Sequence, residues 1–184
     1  MPPSRTSEAF ARRSGPSTAL ADDAEAIAAT CHAMARAFHR GGRLLAFGSA
    51  GSVTDAAHVV VEFVHPVIMG KGALPAVALT GPGLAGELAL VAEPADIALA
   101  VCADVTGDAD REVAAALAEA RARGLLTVAL LGGDGGRVVR DGLADHPLVV
   151  ASADPLVVTE VQVTTYHVLW ELVHVFLDRP GLLS

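Results

Sequence analysis

Residues 44–52, with the sequence LLAFGSAGS, decide the fold of this chain. The apolar run at 44–47 lacks polar alternation, which is typical of a strand that is covered on both faces. Small residues follow at 48–51, and Ser52 stands where a helix begins, so we expect its side chain to cap that helix. A buried strand that turns directly into a helix is the repeating unit of an open parallel α/β sheet.

The same alternation continues along the chain. Further apolar runs lie at 76–79, 97–102, 126–131 and 148–150, and helical patterns lie at 52–64, 83–91, 109–123 and 155–177. The sequence therefore predicts a single-domain α/β fold, an open parallel sheet of about five strands with helices on both faces.

The first sixteen residues differ from the rest. Residues 1–16 are rich in Pro and Arg and end in a Gly-Pro break, so we expect a flexible N-terminal tail at 1–16 and one domain at 17–184. The first helix is then predicted to begin near residue 17 or 18 and to end at the Gly pair 41–42.

Composition excludes several classes of protein. The chain has 184 residues, with 13 Lys+Arg against 21 Asp+Glu, a net charge of −8. An acidic chain lacks the basic patch of a nucleic-acid groove, and no window predicts a membrane span or a secretory leader. Cys31 and Cys102 are expected to be reduced, buried thiols of a cytoplasmic protein.

Ligands of an open parallel sheet bind beyond the carboxyl ends of its strands. The loop at 48–52 has small residues and a helix start, which suit an anion, although a tight structural turn explains them equally. The third strand ends in DVTGD at 104–108, where Asp104 and Asp108 would repel a phosphate.

Two helices carry candidate acid–base groups. His58 and Glu62 are four residues apart on an apolar helix, either as a general base with its neighbour or as a local pair at a polar edge. On the last helix, residues 160, 164, 167, 171 and 174 form one polar stripe. That stripe is either solvated or presents His167 to the site as an acid–base group or a metal ligand.

Four blocks of the sequence resemble the phosphoheptose isomerases, a family of the sugar isomerase (SIS) superfamily. Residues 48–62 (GSAGSVTDAAHVVVE) are similar to the family's G-N-G-G-S-A-x-D-A-x-H-x-x-x-E block. Residues 74–80 (LPAVALT), 128–136 (VALLGGDGG) and 167–172 (HVLWEL) are similar to its L-P-A-I-A-L-T, V-I-A-L-T-G-x-D-G-G and H-x-L-C-E-L blocks.

The resemblance implies a flavodoxin-like five-stranded sheet, a homo-oligomer (dimer or tetramer), and isomerisation of a sugar phosphate such as sedoheptulose 7-phosphate through an enediol. It implies Glu62 as general base and His167 as general acid. His58, Glu62 and His167 match positions that bind zinc in some members, so zinc is a candidate cofactor. The residues expected at the substrate and its phosphate are Ser49, Gly51, Ser52, Asp104, Thr106, Asp108 and Thr159.

One loop and two single positions differ from the family pattern. Its second phosphate loop, S-T-S-G-N-S, corresponds to DVTGDA at 104–109, its glutamine to Thr159 and its arginine to Pro66. Two hypotheses follow. One is an isomerase of a sugar phosphate; the alternative is a non-catalytic SIS module that binds a sugar phosphate or a protein partner in a regulatory or scaffolding role.

Overall fold

The computed structural model describes residues 4–66 and 70–183 as one five-stranded parallel sheet with helices on both faces. The strands are β1 (Leu44–Gly48), β2 (Ala76–Leu79), β3 (Ile97–Cys102), β4 (Leu126–Gly132) and β5 (His146–Val150). Their order across the sheet is β2-β1-β3-β4-β5. The predicted fold class and strand number are confirmed.

Seven α-helices accompany the strands in the described part of the chain. They are α1 (Arg5–Ala21), α2 (Ala24–His39), α3 (Val53–Val64), α4 (Leu84–Val91), α5 (Gly107–Ala122), α6 (Gly136–Arg140) and α7 (Pro155–Leu177). The sequence did not predict α6. None of these helices is long and apolar enough to cross a membrane.

The N-terminal segment corrects one expectation. Helix α1 begins at Arg5, far before the predicted start near residue 17, and α2 begins at Ala24. Arg13 of α1 pairs with Glu160 of α7, and Arg12 pairs with Asp154 in the turn before α7. The division at residue 16 into a flexible tail and a domain stays a prediction.

Alternate residues of the central strands β1, β3 and β4 belong to two separate hydrophobic cores, one on each face of the sheet. On one face, Leu44 and Ala46 pack with Met34 of α2 and Phe63 of α3. On the other face, Leu45 and Phe47 pack with Leu117 of α5 and with α4. Because side chains alternate along a strand, burial on both faces explains why the runs of apolar residues are continuous.

The reversal in strand order positions the ligand region. Strands β1 and β3 are neighbours in register from Leu44 opposite Ile97 to Gly48 opposite Val101, yet their helices α3 and α5 pack on opposite faces. The loops after β1 and β3 therefore diverge, and a crevice opens between them, as it does at the switch point of other doubly wound sheets.

Candidate active site

Helices α3 and α7 bring three titratable side chains together. His58 Nε2 lies 3.1 Å from Glu62 Oε1, one helical turn along α3. His167 Nε2 of α7 lies 3.5 Å from the same Glu62 oxygen. The Glu62 side chain is only 14% exposed, whereas both histidine side chains are 44% exposed. A shielded carboxylate thus lies beside two imidazoles that solvent can reach.

A cleft of about 360 Å³ opens beside this group and is lined by Glu62, His167, Trp170 and Glu171. Trp170 is 4% exposed, and its indole Nε1 is one of two buried side-chain atoms without a hydrogen-bond partner in the described residues. A carboxylate and an imidazole thus share the wall of one cleft, and proton transfer to a bound molecule requires groups of these types.

Behind His58 lies a tyrosine that the sequence did not single out. Tyr166 is fully buried, and its Oη is 2.7 Å from His58 Nδ1. Burial, with the negative charges of Asp55 and Glu62, raises the pKa of the Tyr166 phenol, which therefore stays protonated. The Tyr166 ring also contacts the ring of His167, the next residue of α7, edge to face with centroids 5.0 Å apart.

The polar stripe of α7 divides into separate contacts. Glu160 pairs with Arg13, and His167 faces Glu62. His174 is 4% exposed, with Nδ1 2.9 Å from the carbonyl of Trp170 and Nε2 3.1 Å from the carbonyl of Gly72. Residues 160, 164, 167 and 171 are exposed and only His174 of the stripe is buried, so the stripe is mainly a solvated face, within which His167 also contacts Glu62.

The loop after β1 differs from the prediction that Ser52 caps the following helix. The Ser52 side chain does not cap α3; its buried hydroxyl oxygen accepts a hydrogen bond from the N–H of Ala103, at 3.1 Å. Ser49 donates to Glu112 Oε2 at 2.5 Å, which ties this loop to α5. No side chain caps α3, and a short 3₁₀ turn at Ala50–Ser52 leads into it, with the Val53 N–H donating to the Ala50 carbonyl. The N-terminal end of a helix carries a positive partial charge that favours anions.

A second cavity, of about 490 Å³, occupies the crevice between the β1 and β3 loops. It is lined by five of the predicted binding residues, namely Ser49, Gly51, Ser52, Asp104 and Thr159. Thr106 lines an adjacent cavity instead, and its hydroxyl donates to Asp104 Oδ1 at 2.6 Å. Asp108 lines neither cavity; its carboxylate is 92% exposed and pairs with Arg111.

The charge lining this crevice is negative. Asp55 and Asp104 line it, and none of its described lining residues is Lys or Arg. Burial raises the pKa of Asp55, opposed by the neighbouring His58. The crevice thus lacks a cationic side chain for an anion, which leaves backbone N–H groups and hydroxyls as its donors.

The three-residue group also fits a metal ion. One potential ligand atom from each of His58, Glu62 and His167 lies within 4.8 Å of the other two. Tetrahedral zinc with bonds of about 2.0–2.1 Å places its ligand atoms about 3.3 Å apart, close to the two measured separations. Two imidazoles and a carboxylate are a donor set that zinc accepts with a position left open.

Sequence reasoning missed two residues of this region. Glu112 lies four positions beyond the acidic loop 104–108, among other polar residues of a helix, so no local pattern marks it. Tyr166 is the single tyrosine of the chain, placed beside the predicted acid, and that rarity is the signal which could have drawn attention to it.

A flavodoxin-like parallel sheet, a crevice at its switch point and a carboxylate–imidazole pair on two helices define a protein of the sugar isomerase class. No family model matches the sequence. Comparison with individual proteins is more informative. The chain is 33% identical over 171 residues to a phosphoheptose isomerase from Solidesulfovibrio magneticus, covering 85% of this chain and 81% of the relative.

A second phosphoheptose isomerase, from Chlorobium phaeobacteroides, is 36% identical over 167 residues, covering 80% of this chain and 71% of the relative. The solved structure of a phosphoheptose isomerase from Francisella tularensis superposes with a TM-score of 0.80 at 24% identity, covering 91% of this chain and 95% of the other. The chain belongs to the phosphoheptose isomerase family, and the predicted family is confirmed.

Proposed function

We propose that this protein interconverts the aldose and ketose forms of a sugar phosphate, sedoheptulose 7-phosphate or a close relative, through an enediol. The observation that supports this most directly is the 3.5 Å approach of Glu62 Oε1 to His167 Nε2 on the wall of one cleft. An aldose–ketose isomerisation needs a base for a carbon-bound proton and an acid for the neighbouring oxygen, and this pair supplies both.

The proton transfers balance without an external reagent. Glu62 removes the proton from the hydroxyl-bearing carbon next to the carbonyl, while His167 gives a proton to the carbonyl oxygen. The enediol that results collapses when His167 takes a proton back from the other hydroxyl and Glu62 returns its proton to the former carbonyl carbon. No group is oxidised or reduced overall except within the sugar itself.

The substrate's phosphate is assigned to the crevice after β1. Ser49 and Gly51 contribute backbone groups there, Ser52 contributes the hydrogen of its hydroxyl, and the N-terminus of α3 adds a positive partial charge. Thr159 is assigned to the sugar. Asp104, Thr106 and Asp108, by contrast, make the second loop a weak contributor to phosphate binding, because the carboxylates oppose a dianion.

Zinc is proposed as a cofactor held by His58, Glu62 and His167. Bound there, zinc would supply Lewis-acid polarisation of the substrate's carbonyl oxygen in place of the proton from His167, because a metal-bound ring nitrogen carries no hydrogen to donate. Titration of the metal-free protein with zinc by calorimetry tests this directly. We expect one site per chain, and its loss in His58→Ala; binding that survives this change would contradict the assignment.

A homo-oligomer, a dimer or tetramer, and a cytoplasmic location complete the proposal. The rings of His58 and His167 lie at the surface of the single chain, where a second copy can complete the cleft. Both cysteines are free and buried, as suits a reducing compartment. Light scattering on the purified protein measures the oligomeric state, and a monomer at micromolar concentration would refute the proposed homo-oligomer.

The activity is tested by incubating the protein with sedoheptulose 7-phosphate in D₂O. NMR then measures both the formation of product and the incorporation of deuterium into the sugar. Glu62→Gln should lower kcat by about 10²- to 10⁴-fold. The matched control is Glu25→Gln, which alters an exposed carboxylate of α2 that does not line the cleft and should leave kcat near wild type.

Absence of turnover, with and without zinc, would refute isomerisation of this substrate. The alternative of a non-catalytic module is not favoured, because the acid–base pair is assembled rather than dispersed.

A further inference from the structure

The buried Tyr166 contacts the site from behind, and the proposed reaction gives it no role. Its Oη lies 2.7 Å from His58 Nδ1, and the other ring nitrogen, Nε2, lies 3.1 Å from Glu62 Oε1. Glu62 Oε1 in turn lies 3.5 Å from His167 Nε2. Tyr166, His58, Glu62 and His167 thus form a continuous chain of polar contacts that links the protein interior to the cleft.

The chemistry of these groups sets the position of each proton. An ionised carboxylate only accepts hydrogen bonds, so Nε2 of His58 must carry a hydrogen to bond with Glu62. A neutral imidazole then has its lone pair on Nδ1, and Tyr166 must be the donor to that nitrogen. The opposite tautomer would direct the Nε2 lone pair at the Glu62 oxygen, which is repulsive.

We propose that Tyr166 is a positioning residue: by donating its O–H to His58 Nδ1, it holds His58 in the Nε2–H form that fixes Glu62 beside His167. With Oε1 bound by His58, the second carboxylate oxygen of Glu62 is free for the carbon-bound proton. The catalytic consequence rests on the proposed isomerase function, but the tautomer assignment does not.

The same hydroxyl suits the metal-bound state. If His58 Nε2 binds zinc, the ring proton must move to Nδ1, and the oxygen of Tyr166 can then accept a hydrogen bond from Nδ1–H because a hydroxyl both donates and accepts. Partners of this kind, behind a metal-binding histidine, typically contribute about 10- to 100-fold to affinity. Tyr166 would therefore support zinc binding without touching the metal.

The test is Tyr166→Phe, which removes only the hydroxyl. The matched control is Thr165→Val, which removes the adjacent buried hydroxyl of α7, bonded to the Val161 carbonyl at 2.7 Å and not among the residues that line the cleft beside Glu62 and His167. The tautomer is measured by long-range ¹H–¹⁵N NMR of metal-free protein at a pH where imidazoles are neutral, with His58→Gln to assign the signal.

We expect the Nε2–H form of His58 in the wild type and in the control, and a mixture of tautomers in Tyr166→Phe. We also expect kcat to fall about tenfold or more with KM unchanged, and zinc affinity to fall about tenfold or more in the same variant.

An Nδ1–H tautomer in the metal-free wild type would overturn the proposal, even if Tyr166→Phe fails to fold. So would a tautomer that Tyr166→Phe leaves unchanged, whatever happens to kcat. If the wild type has no isomerase activity, the proposed function fails, while the NMR result still decides the role of Tyr166.

Discussion

The carboxylate of Asp96 is the most densely bonded ionic group near the start of the central strands. It is 2% exposed and accepts hydrogen bonds from the Arg43 N–H at 2.8 Å, from Arg43 Nη2 at 2.7 Å and from the Glu93 N–H at 3.0 Å. Arg43 precedes β1 and Asp96 precedes β3, so this contact joins the two strands that flank the ligand crevice.

Asp96→Asn keeps the shape of the side chain but removes the charge and points an NH₂ group at these donors. Breaking one partner of a buried, hydrogen-bonded ion pair costs about 3–5 kcal/mol, and we expect about 3 kcal/mol because Arg43 is partly exposed. For a domain of this size that corresponds to a fall in Tm of about 6–12 °C by calorimetry. Asp178→Asn, which breaks the exposed pair with Lys71, is the control and should leave Tm nearly unchanged.

The effect depends on pH in a fixed direction. Burial alone would raise the pKa of Asp96, but the bonds from the Arg43 side chain and from the Arg43 and Glu93 N–H groups outweigh it and hold the pKa below its usual range. A depressed pKa stabilises the fold above about pH 4 and loses that contribution as the pH falls further. The gap between wild type and Asp96→Asn should therefore narrow in acid. Equal Tm values for Asp96→Asn and the control at pH 7, or a gap that widens below pH 4, would refute the reasoning.

Three further changes test the site and its frame. His167→Gln should lower kcat by about 10²- to 10⁴-fold with Tm unchanged, because the ring is 44% exposed; a fall in Tm that parallels the lost activity would mean that the ring is structural. Asp104→Ser should lower the KM for a sugar phosphate by about two- to tenfold in low salt, and by less at high ionic strength. Asp108→Ser should change the KM little, because the Asp108 carboxylate lies outside the crevice and is paired with Arg111. Equal effects of the two variants would contradict the assignment of the phosphate to this crevice. Gly132→Ala would place its Cβ 2.2 Å from the Ala103 carbonyl oxygen and should cost about 1–3 kcal/mol in urea unfolding; wild-type stability would show that the β3 loop can yield.

The central fold could be predicted because hydrophobic runs and helical periods determine it locally. The predicted limits 76–79, 97–102 and 155–177 match β2, β3 and α7. The five-residue helix α6 was missed because it is too short for a periodic pattern and follows a glycine-rich turn. Helix α1 was missed because Pro16 and a polar composition suggested a break, whereas pairing with α7 supports the helix.

Some residues of the candidate site could also be predicted from the sequence, and others could not. Spacing of four residues predicted that His58 and Glu62 share a face, and the resemblance supplied His167 from a distant helix. The contacts of Ser52 with Ala103 and of Ser49 with Glu112 join loops that are far apart in sequence, so no local pattern encodes them. The same holds for Tyr166, whose role depends on how α7 docks on α3.

That docking has a consequence for the order of events during synthesis. Tyr166 and His58 are 108 residues apart, so α3 leaves the ribosome long before the helix that completes its polar chain. At about 5–20 residues per second, His58 and Glu62 wait roughly 5–20 s for α7, with an apolar helix face uncovered. A nascent chain stalled before residue 155 would contain most of the sheet but neither His167 nor Tyr166. We expect such a chain to bind chaperones through its uncovered apolar surface and to have no isomerase activity.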